Sequence, residues 1–440
     1  MAELLVGIDV GTSVCKAAVV DPAGRELAHG QAPTPWQRVP SGAQADADAL
    51  FAAAMAAARD ALSSVDGRLV AIGVTSMAET GVLLDAAGRV LHPAVAWHDA
   101  RGADEAEAMG QALPDFVERT GLPPTALCSL AKLKHLGTQG AARWLNVGEW
   151  VVHRLGGRQV SELSLASRTG MLDLEPIRPY DEALDWAGLP RDVLGDLVLA
   201  GTDAGRSDGH ALPGTEDAVL TVAGHDHLVA GAGVGVIEPG DLLDSCGTAE
   251  ALVRVVAPPL DAPARRRSVE GGVTVGWHVA EGRQVLLAGL WSGFALRSVL
   301  DELAVGDADR AELDAGALAI APGGAPALEL DLHSLERAPL HLPDAPPAAI
   351  WRAAIDAVSR EVAALVGHID AVAGPHTKVV VTGGWSRDPA VLDAKRRLGA
   401  VEAPPVVEAG CRGAALLAGV AAGIFASADD LPEVIAKEPA

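Results

Sequence analysis

Apolar positions fall along the chain in two kinds of run, short continuous ones and longer ones with helical period. Leu4–Asp9 and Ala17–Val20 read as strands joined by a glycine turn, and Asp21-Pro22-Ala23-Gly24 adds hairpin-turn chemistry. Leu50, Phe51, Met55 and Leu62 recur near helical spacing in an alanine-rich background, predicting a helix over Asp48–Ser63. A strand at Leu69–Thr75 follows, then a hairpin of Val82–Leu84 with Arg89–Leu91, closed by Asp85-Ala86-Ala87-Gly88. From Pro114 to Asp217 helix-like segments alternate with Gly/Pro breaks, which suggests an insertion or cap. The run Ala218–Ala223 restores strand character and ends in Gly224-His225-Asp226-His227.

The second half repeats this logic. Asp241–Ser245 is a strand-like run followed by Gly-Thr, so that Ser245-Cys246-Gly247-Thr248 echoes Asp9-Val10-Gly11-Thr12 as a weak internal repeat. A long helix is expected over Ala348–Val366, with Ile350, Ala354, Ile355, Val358, Val362 and Leu365 on one face. Then come a strand, Lys378–Thr382, the pair Gly383-Gly384, and a last helix over Gly413–Ala426, apolar enough to be buried on most sides. Pro339–Pro347 has no period and reads as a surface loop. Alternation of strands and helices argues for an α/β fold with a mixed sheet. A chain of 440 residues exceeds what one core usually fills, so two domains are expected.

Composition narrows the class further. With 49% hydrophobic and 21% charged residues, the chain is not largely disordered. Its 34 Lys+Arg against 58 Asp+Glu give a net charge of −24, which disfavours nucleic acid or an anionic membrane as a partner. An anionic cosubstrate then needs local help from backbone N–H groups, helix N-termini or metal ions. Cys15, Cys128, Cys246 and Cys411 are too scattered for a disulfide framework. No apolar run approaches the ~20 residues that span a bilayer. A cytoplasmic protein is expected.

Gly7-Ile8-Asp9-Val10-Gly11-Thr12-Ser13 is the strongest local signal. A buried strand delivers an Asp into a glycine turn, where backbone N–H groups and two hydroxyls can meet an anion. An acidic residue facing phosphates makes sense if a divalent cation lies between them. The competing reading is a plain hairpin whose Asp and Thr satisfy turn groups. Gly247-Thr248 weakens that reading, since two such loops can clamp a polyphosphate from both sides. Thr382-Gly383-Gly384-Trp385-Ser386-Arg387 allows close approach of a flat ligand or phosphate, or simply tight packing. Asp226, at a strand end open to a cleft, is placed to accept a proton from a hydroxyl; a helix N-cap is the rival. His225 and His227 invite a metal reading, disfavoured because no third or fourth ligand is evident in the sequence nearby. Glu79, in Ser76-Met77-Ala78-Glu79-Thr80, offers a hydrogen-bond acceptor to substrate hydroxyls, and Trp97 an apolar wall. Asp99 and Arg101 form either a structural ion pair or a substrate contact.

Taken in order, these segments resemble the FGGY family of carbohydrate kinases, in the sugar kinase/Hsp70/actin superfamily, over nearly the whole chain. Asp9-Val10-Gly11-Thr12-Ser13 is similar to its first phosphate loop, Ser76–Thr80 to its sugar-contact loop, and Trp97-x-Asp99-x-Arg101 to its W-x-D-x-R signature. Ser129-x-x-Lys132-Leu133 and Ala166-Ser167-Arg168-Thr169 resemble further signatures. The resemblance implies two ribonuclease H-like (actin/Hsp70-type) domains with mixed sheets around a central cleft. Residues 1–237 would be the sugar-binding domain, with the first phosphate loop and the catalytic base, and 238–440 the nucleotide-binding domain. It implies ATP and Mg²⁺, with Asp9 at the metal and Gly11, Thr12, Ser13, Gly247, Thr248, Gly383, Gly384 and Ser386 around the nucleotide. Asp226 would be the base, and Met77, Ala78, Glu79, Trp97 and Asp226 would meet a small sugar or polyol. A homodimer is left open.

Departures sharpen the substrate. Ala78 stands where glycerol kinases carry Arg, and it also breaks the His pattern of xylulose kinases, so neither glycerol nor xylulose is expected. His135 replaces a usual Trp, and Glu336-Arg337-Ala338-Pro339 resembles the family's E-R-x-P with a shortened loop after it. Two rival classes remain: an inactive sugar or nucleotide sensor, and an Hsp70/actin-like switch.

Overall fold

The strand-turn-strand unit that opens the chain seeds a five-stranded sheet, and the same unit seeds a second sheet after residue 240. The computed structural model describes residues 2–40, 42–306, 309–321, 323–333 and 340–434. In the first sheet β1 (Glu3–Val10), β2 (Val14–Val20) and β3 (Glu26–Pro33) form an antiparallel meander. β4 (Arg68–Ser76) and β5 (Val219–His225) add in parallel beyond β1, giving the order β5-β4-β1-β2-β3. The second sheet holds β6 (Asp241–Cys246), β7 (Glu250–Val256), β8 (Thr274–Trp277), β9 (Gln284–Leu290), β10 (Lys378–Thr382) and β11 (Val401–Glu402). Its order is β8-β9-β7-β6-β10-β11. With the edge strand β8 set aside, this is the first sheet's order again, three antiparallel strands and two parallel ones. The two Gly-Thr turns are therefore equivalent: each follows the first strand of its sheet.

Parallel strands cannot be joined by a tight turn and need a crossover. α1 (Ala47–Leu62), capped by Asp46 accepting from Asp48 and Ala49 N–H, links β3 to β4 and buries Leu50, Ala54, Met55 and Ala58. The link from β4 to β5 runs through the stretch expected to be an insertion. Within it, α2 (Val147–Arg154) opens on an Asn146–Glu149 capping box and packs Val147, Val151 and Val152 into the same core as β1. Segments around Met109, Phe116, Leu130 and Leu184 close on a core of their own, while Val160, Leu165 and Leu212 join the first sheet's core and Leu172 and Leu174 the second's. The cap reading thus holds for part of Pro114–Asp217 and fails for α2, which belongs to the sheet.

α3 (Asp226–Gly233) follows β5 directly, α4 (Ser292–Glu302) follows β9, and α5 (Pro347–Ala373) precedes β10. α5 runs past the expected Val366, burying Trp351, Ile355, Val358, Val362 and Ile369. Pro347 opens it, so the expected surface loop stops one residue earlier. Glu336–Pro339 lies outside the described residues.

α6 (Pro389–Lys395) and α7 (Ala409–Ala421) lie on either side of β11 in the chain. α7 starts four residues before the expected Gly413 and packs on β1, β4 and α3. It sits directly on strand backbone: a Cβ at Gly7 would stand 1.8 Å from Cys411 O, and one at Gly73 2.0 Å from Ala414 O. α3 and α7 together form a layer between the sheets, with Val229, Ala414 and Leu417 in one core with Leu243, Val253 and Val380. The hairpin expected at Val82–Leu84 and Arg89–Leu91 forms, with Leu84 bridging Val90 and Leu91 N–H donating to Leu83 O at 2.8 Å, and its first strand gains a second partner. Its turn is closed by Asp85 N–H donating to Arg89 O at 2.9 Å, and Gly81–Asp85 also makes a ladder with Ala141–Asn146.

Candidate active site

Strand ends of the first sheet converge on one acidic centre. Asp9, near the end of β1, and Asp226, where β5 passes into α3, are close enough to act on each other's charge. Burial, then Asp226, pushes the Asp9 carboxyl up to about 8. Burial likewise raises Asp226 to about 7, with Glu79 adding to it and the His227 N–H, which donates to Asp226 Oδ1 at 2.7 Å, opposing. Asp226 keeps 20% of its side-chain surface accessible, enough to meet a ligand. Asp9 Oδ1 is buried and has no hydrogen-bond partner. Its other oxygen faces the first turn of α7, where a Cβ on Gly410 would stand 2.7 Å away. Only glycine leaves that carboxylate its place.

Glu79 reaches the same centre from the β4 side. It is buried at φ +60°, a conformation unfavourable for a non-glycine residue, and its own carbonyl accepts from Ser129 Oγ at 3.0 Å. Its carboxylate accepts from Arg168 Nε at 2.7 Å, and Arg168 Nη1 donates on to Thr274 Oγ1 of β8 at 2.7 Å. One buried arginine thus ties the Glu79 carboxylate of the first sheet to an edge strand of the second. The Arg168 signature was visible in the sequence, but its pairing was not, because 89 residues separate the partners. Met77 and Ala78 are buried in the first core, so of these three residues Glu79 is the one that offers polar chemistry.

The phosphate-loop candidates form two groups linked through tryptophans. Thr12 Oγ1 accepts from Trp97 Nε1 at 2.8 Å, its carbonyl from Trp36 Nε1, and Gly11 O from Thr34 Oγ1. Ser13 is exposed beside them. Trp97 stacks on Trp291, with centroids 5.3 Å apart and planes 5° from parallel. One indole face of the expected sugar wall is therefore covered. Trp291 precedes α4, whose Phe294 N–H donates to the exposed Thr248 at its carbonyl. Gly293 and Gly383 pack against the turn that holds Gly247: a Cβ on Gly293 would meet Gly247 O, and one on Gly383 would meet Cys246 O. Gly384 has open space around it, and Ser386 Oγ donates to Gly383 O at 2.7 Å. Asp99 and Arg101 form a bidentate ion pair that also holds Ala43 N–H, the structural reading of the two.

Beneath the second loop lies a buried ionic cluster that no local pattern announces. Lys395, the last residue of α6, reaches Asp244 at 2.8 Å and also Glu250, which accepts from Ser292 Oγ. Asp244 and Glu250 flank Ser245–Ala249, so Lys395 ties that turn to the helix after Gly383-Gly384.

Residues 4–233 match the N-terminal domain of the FGGY family of carbohydrate kinases. The chain belongs to that family. It is an ATP-dependent carbohydrate kinase, and its two sheets are the paired actin/Hsp70-like domains of that fold. A glycerol kinase from Halorhodospira halophila is 28% identical over 96% of this kinase and 89% of its own length. A gluconate kinase from Lactobacillus acidophilus superposes with a TM-score of 0.84 at 18% identity, covering 98% of this chain and 92% of that one. A xylulose kinase from Rhodospirillum rubrum gives 0.83 at 22% identity, covering 99% and 94%. Among the described residues no helix is long and apolar enough to cross a membrane.

Proposed function

We propose that this kinase phosphorylates a hydroxyl of a small sugar or polyol, with Asp226 as the general base. The observation that carries the reading is Asp226 itself, held at a strand end with a raised pKa of about 7 and an accessible face, between Asp9 and Glu79. A base whose pKa lies near the operating pH balances its ionised fraction against its affinity for the proton it must take. The hydroxyl proton passes to Asp226, the hydroxyl oxygen forms its bond to the γ-phosphorus, and the bond to ADP breaks. Such transfer rests mostly on positioning and on neutralising charge.

Asp9 fits a divalent cation: an orphaned, buried carboxylate oxygen beside a second acid has a reason to exist if a positive ion joins them. Mg²⁺ bound there would neutralise charge on the phosphates. Gly11, Thr12 and Ser13 on one side and Gly247 and Thr248 on the other hold the phosphates, with Gly383, Gly384 and Ser386 at the adenosine. Glu79 orients the sugar, over a pocket floor shaped by Met77 and Ala78, with Trp97 as wall. Residues 1–237 carry the sugar and the base and 238–440 the nucleotide, although α7 returns to pack on the first sheet. Curated relatives include glycerol kinases, yet Ala78 is buried and offers no cationic arm. The proposed substrate is therefore neither glycerol nor xylulose.

The test is a panel of pentoses, ketoses, polyols and sugar acids with Mg-ATP. Asp226→Asn should keep nucleotide affinity and lower turnover on the active substrate by roughly 10²–10⁴-fold. A variant retaining most of its rate removes Asp226 from the role.

A further inference from the structure

We infer that His225, Asp226 and His227 form a site for a borderline transition-metal dication of the Zn²⁺ class. An ion there occupies the Asp226 carboxylate and stops turnover. His225 closes β5, and the next two residues open α3, so one strand-to-helix junction presents three ligands in a row. A ring nitrogen of each histidine and a carboxylate oxygen of Asp226 lie within 4.8 Å of one another. His225 Nε2 is 3.2 Å from Asp226 Oδ1, and the two imidazoles meet edge to face with centroids 5.6 Å apart. His225 is only 5% exposed; its Nε2 faces Asp226, and Nδ1, the other ring nitrogen, has no hydrogen-bond partner, so the buried ring carries unused donor or acceptor capacity. The sequence showed no third ligand; the fold turns Asp226 inward to supply it.

Ligand chemistry separates this ion from Mg²⁺. Two imidazoles and one carboxylate suit Zn²⁺ and its neighbours and leave coordination positions open, whereas Mg²⁺ prefers oxygen and keeps its waters. Asp9, with oxygen alone to offer, selects the second kind of ion. Among the described residues the other cluster of comparable donors, Asp244, Cys246 and Glu250, already holds the Lys395 ammonium, so it has no need of a metal. Loss of turnover rests on the proposed role of Asp226; metal binding does not.

The experiment titrates the nucleotide-free enzyme with Co²⁺ and reads visible d–d absorption, intense for mixed nitrogen–oxygen coordination at low coordination number and weak for octahedral oxygen. Wild type and Asp9→Asn should both show the intense band. His225→Gln and His227→Gln should each weaken binding by about 10–100-fold or more, the range for disturbing even a ligand's supporting partner. ADP binding and urea midpoints confirm that each variant is folded. In parallel, Zn²⁺ added at constant free Mg²⁺ and ATP should lower kcat/KM for the sugar at least ~10-fold in wild type, reversed by a Zn²⁺-selective chelator. An intense band unaltered in both folded histidine variants, or one lost only in Asp9→Asn, overturns the site. A metal bound by the histidines with turnover unchanged keeps the site and overturns Asp226 as base.

Discussion

Replacing Arg168 with Met should damage this kinase twice, and the two effects can be separated. Arg168 and Glu79 are 5% and 7% exposed at their side chains, with Nε and Oε1 2.7 Å apart. Asp226 stands close enough to Glu79 to feel its charge. Removing the guanidinium leaves a buried carboxylate without its partner, next to a second acid. Breaking a buried pair in this way costs about 3–5 kcal/mol, far more than a surface pair is worth. The hydrogen bond to Thr274 goes as well, and with it a tie between the two sheets. Urea unfolding of Arg168→Met, Glu79→Gln and the double variant closes a cycle. The double variant should be more stable than Arg168→Met, because the amide carries no charge to strand. KM for the sugar should rise in Arg168→Met while KM for ATP stays near wild type. An Arg168→Met enzyme within ~1 kcal/mol of wild type, or a Glu79→Gln change equally destabilising in both backgrounds, refutes the argument.

Lys395→Met should cost about 3–5 kcal/mol, since it leaves Asp244 and Glu250 buried together, and should raise KM for ATP rather than for sugar; an unchanged urea midpoint would contradict this. Gly410→Ala puts a Cβ 2.7 Å from Asp9 Oδ2, and a displacement near 1 Å can lower turnover roughly 10²-fold. Full activity at saturating Mg²⁺ would show that Asp9 tolerates the shift. Stability should fall on acidification through His278: burial, with Arg283 nearby, lowers its pKa to about 3, so below pH ~6.5 the unfolded chain binds a proton that the folded one refuses. That contribution is complete above pH ~6.5 and lost progressively toward pH 3, at no more than ~1.4 kcal/mol per pH unit. Urea midpoints between pH 7 and 4 should flatten in His278→Gln, and parallel slopes would count against it.

Features that depend on neighbours a few residues apart are legible along the chain. Asp9-Val10-Gly11-Thr12 is legible because a strand, a turn glycine and a hydroxyl are local chemistry. So are the strand end at Asp226, the amphipathic face from Ile350 to Leu365, and the order of motifs that pointed to the family. Helix ends were less legible: α7 starts at Ala409 because packing on Gly7 and Gly73 continues the helix beyond its apolar stretch. Long-range partners were decided by tertiary structure alone. Nothing near Gly410 announces that it must leave room for Asp9, nearly the whole chain away. Nor does a lone basic residue in Pro389–Lys395 announce two buried acids across the sheet. The repeat of the Gly-Thr turn was visible only as an echo; two sheets of the same strand order make it an equivalence. The pairing of Glu79 with Arg168, the stacking of Trp97 on Trp291 and the approach of Asp9 and Glu79 to Asp226 arise where strand ends from distant segments converge. Burial then makes each charge there matter far more than it would on a surface.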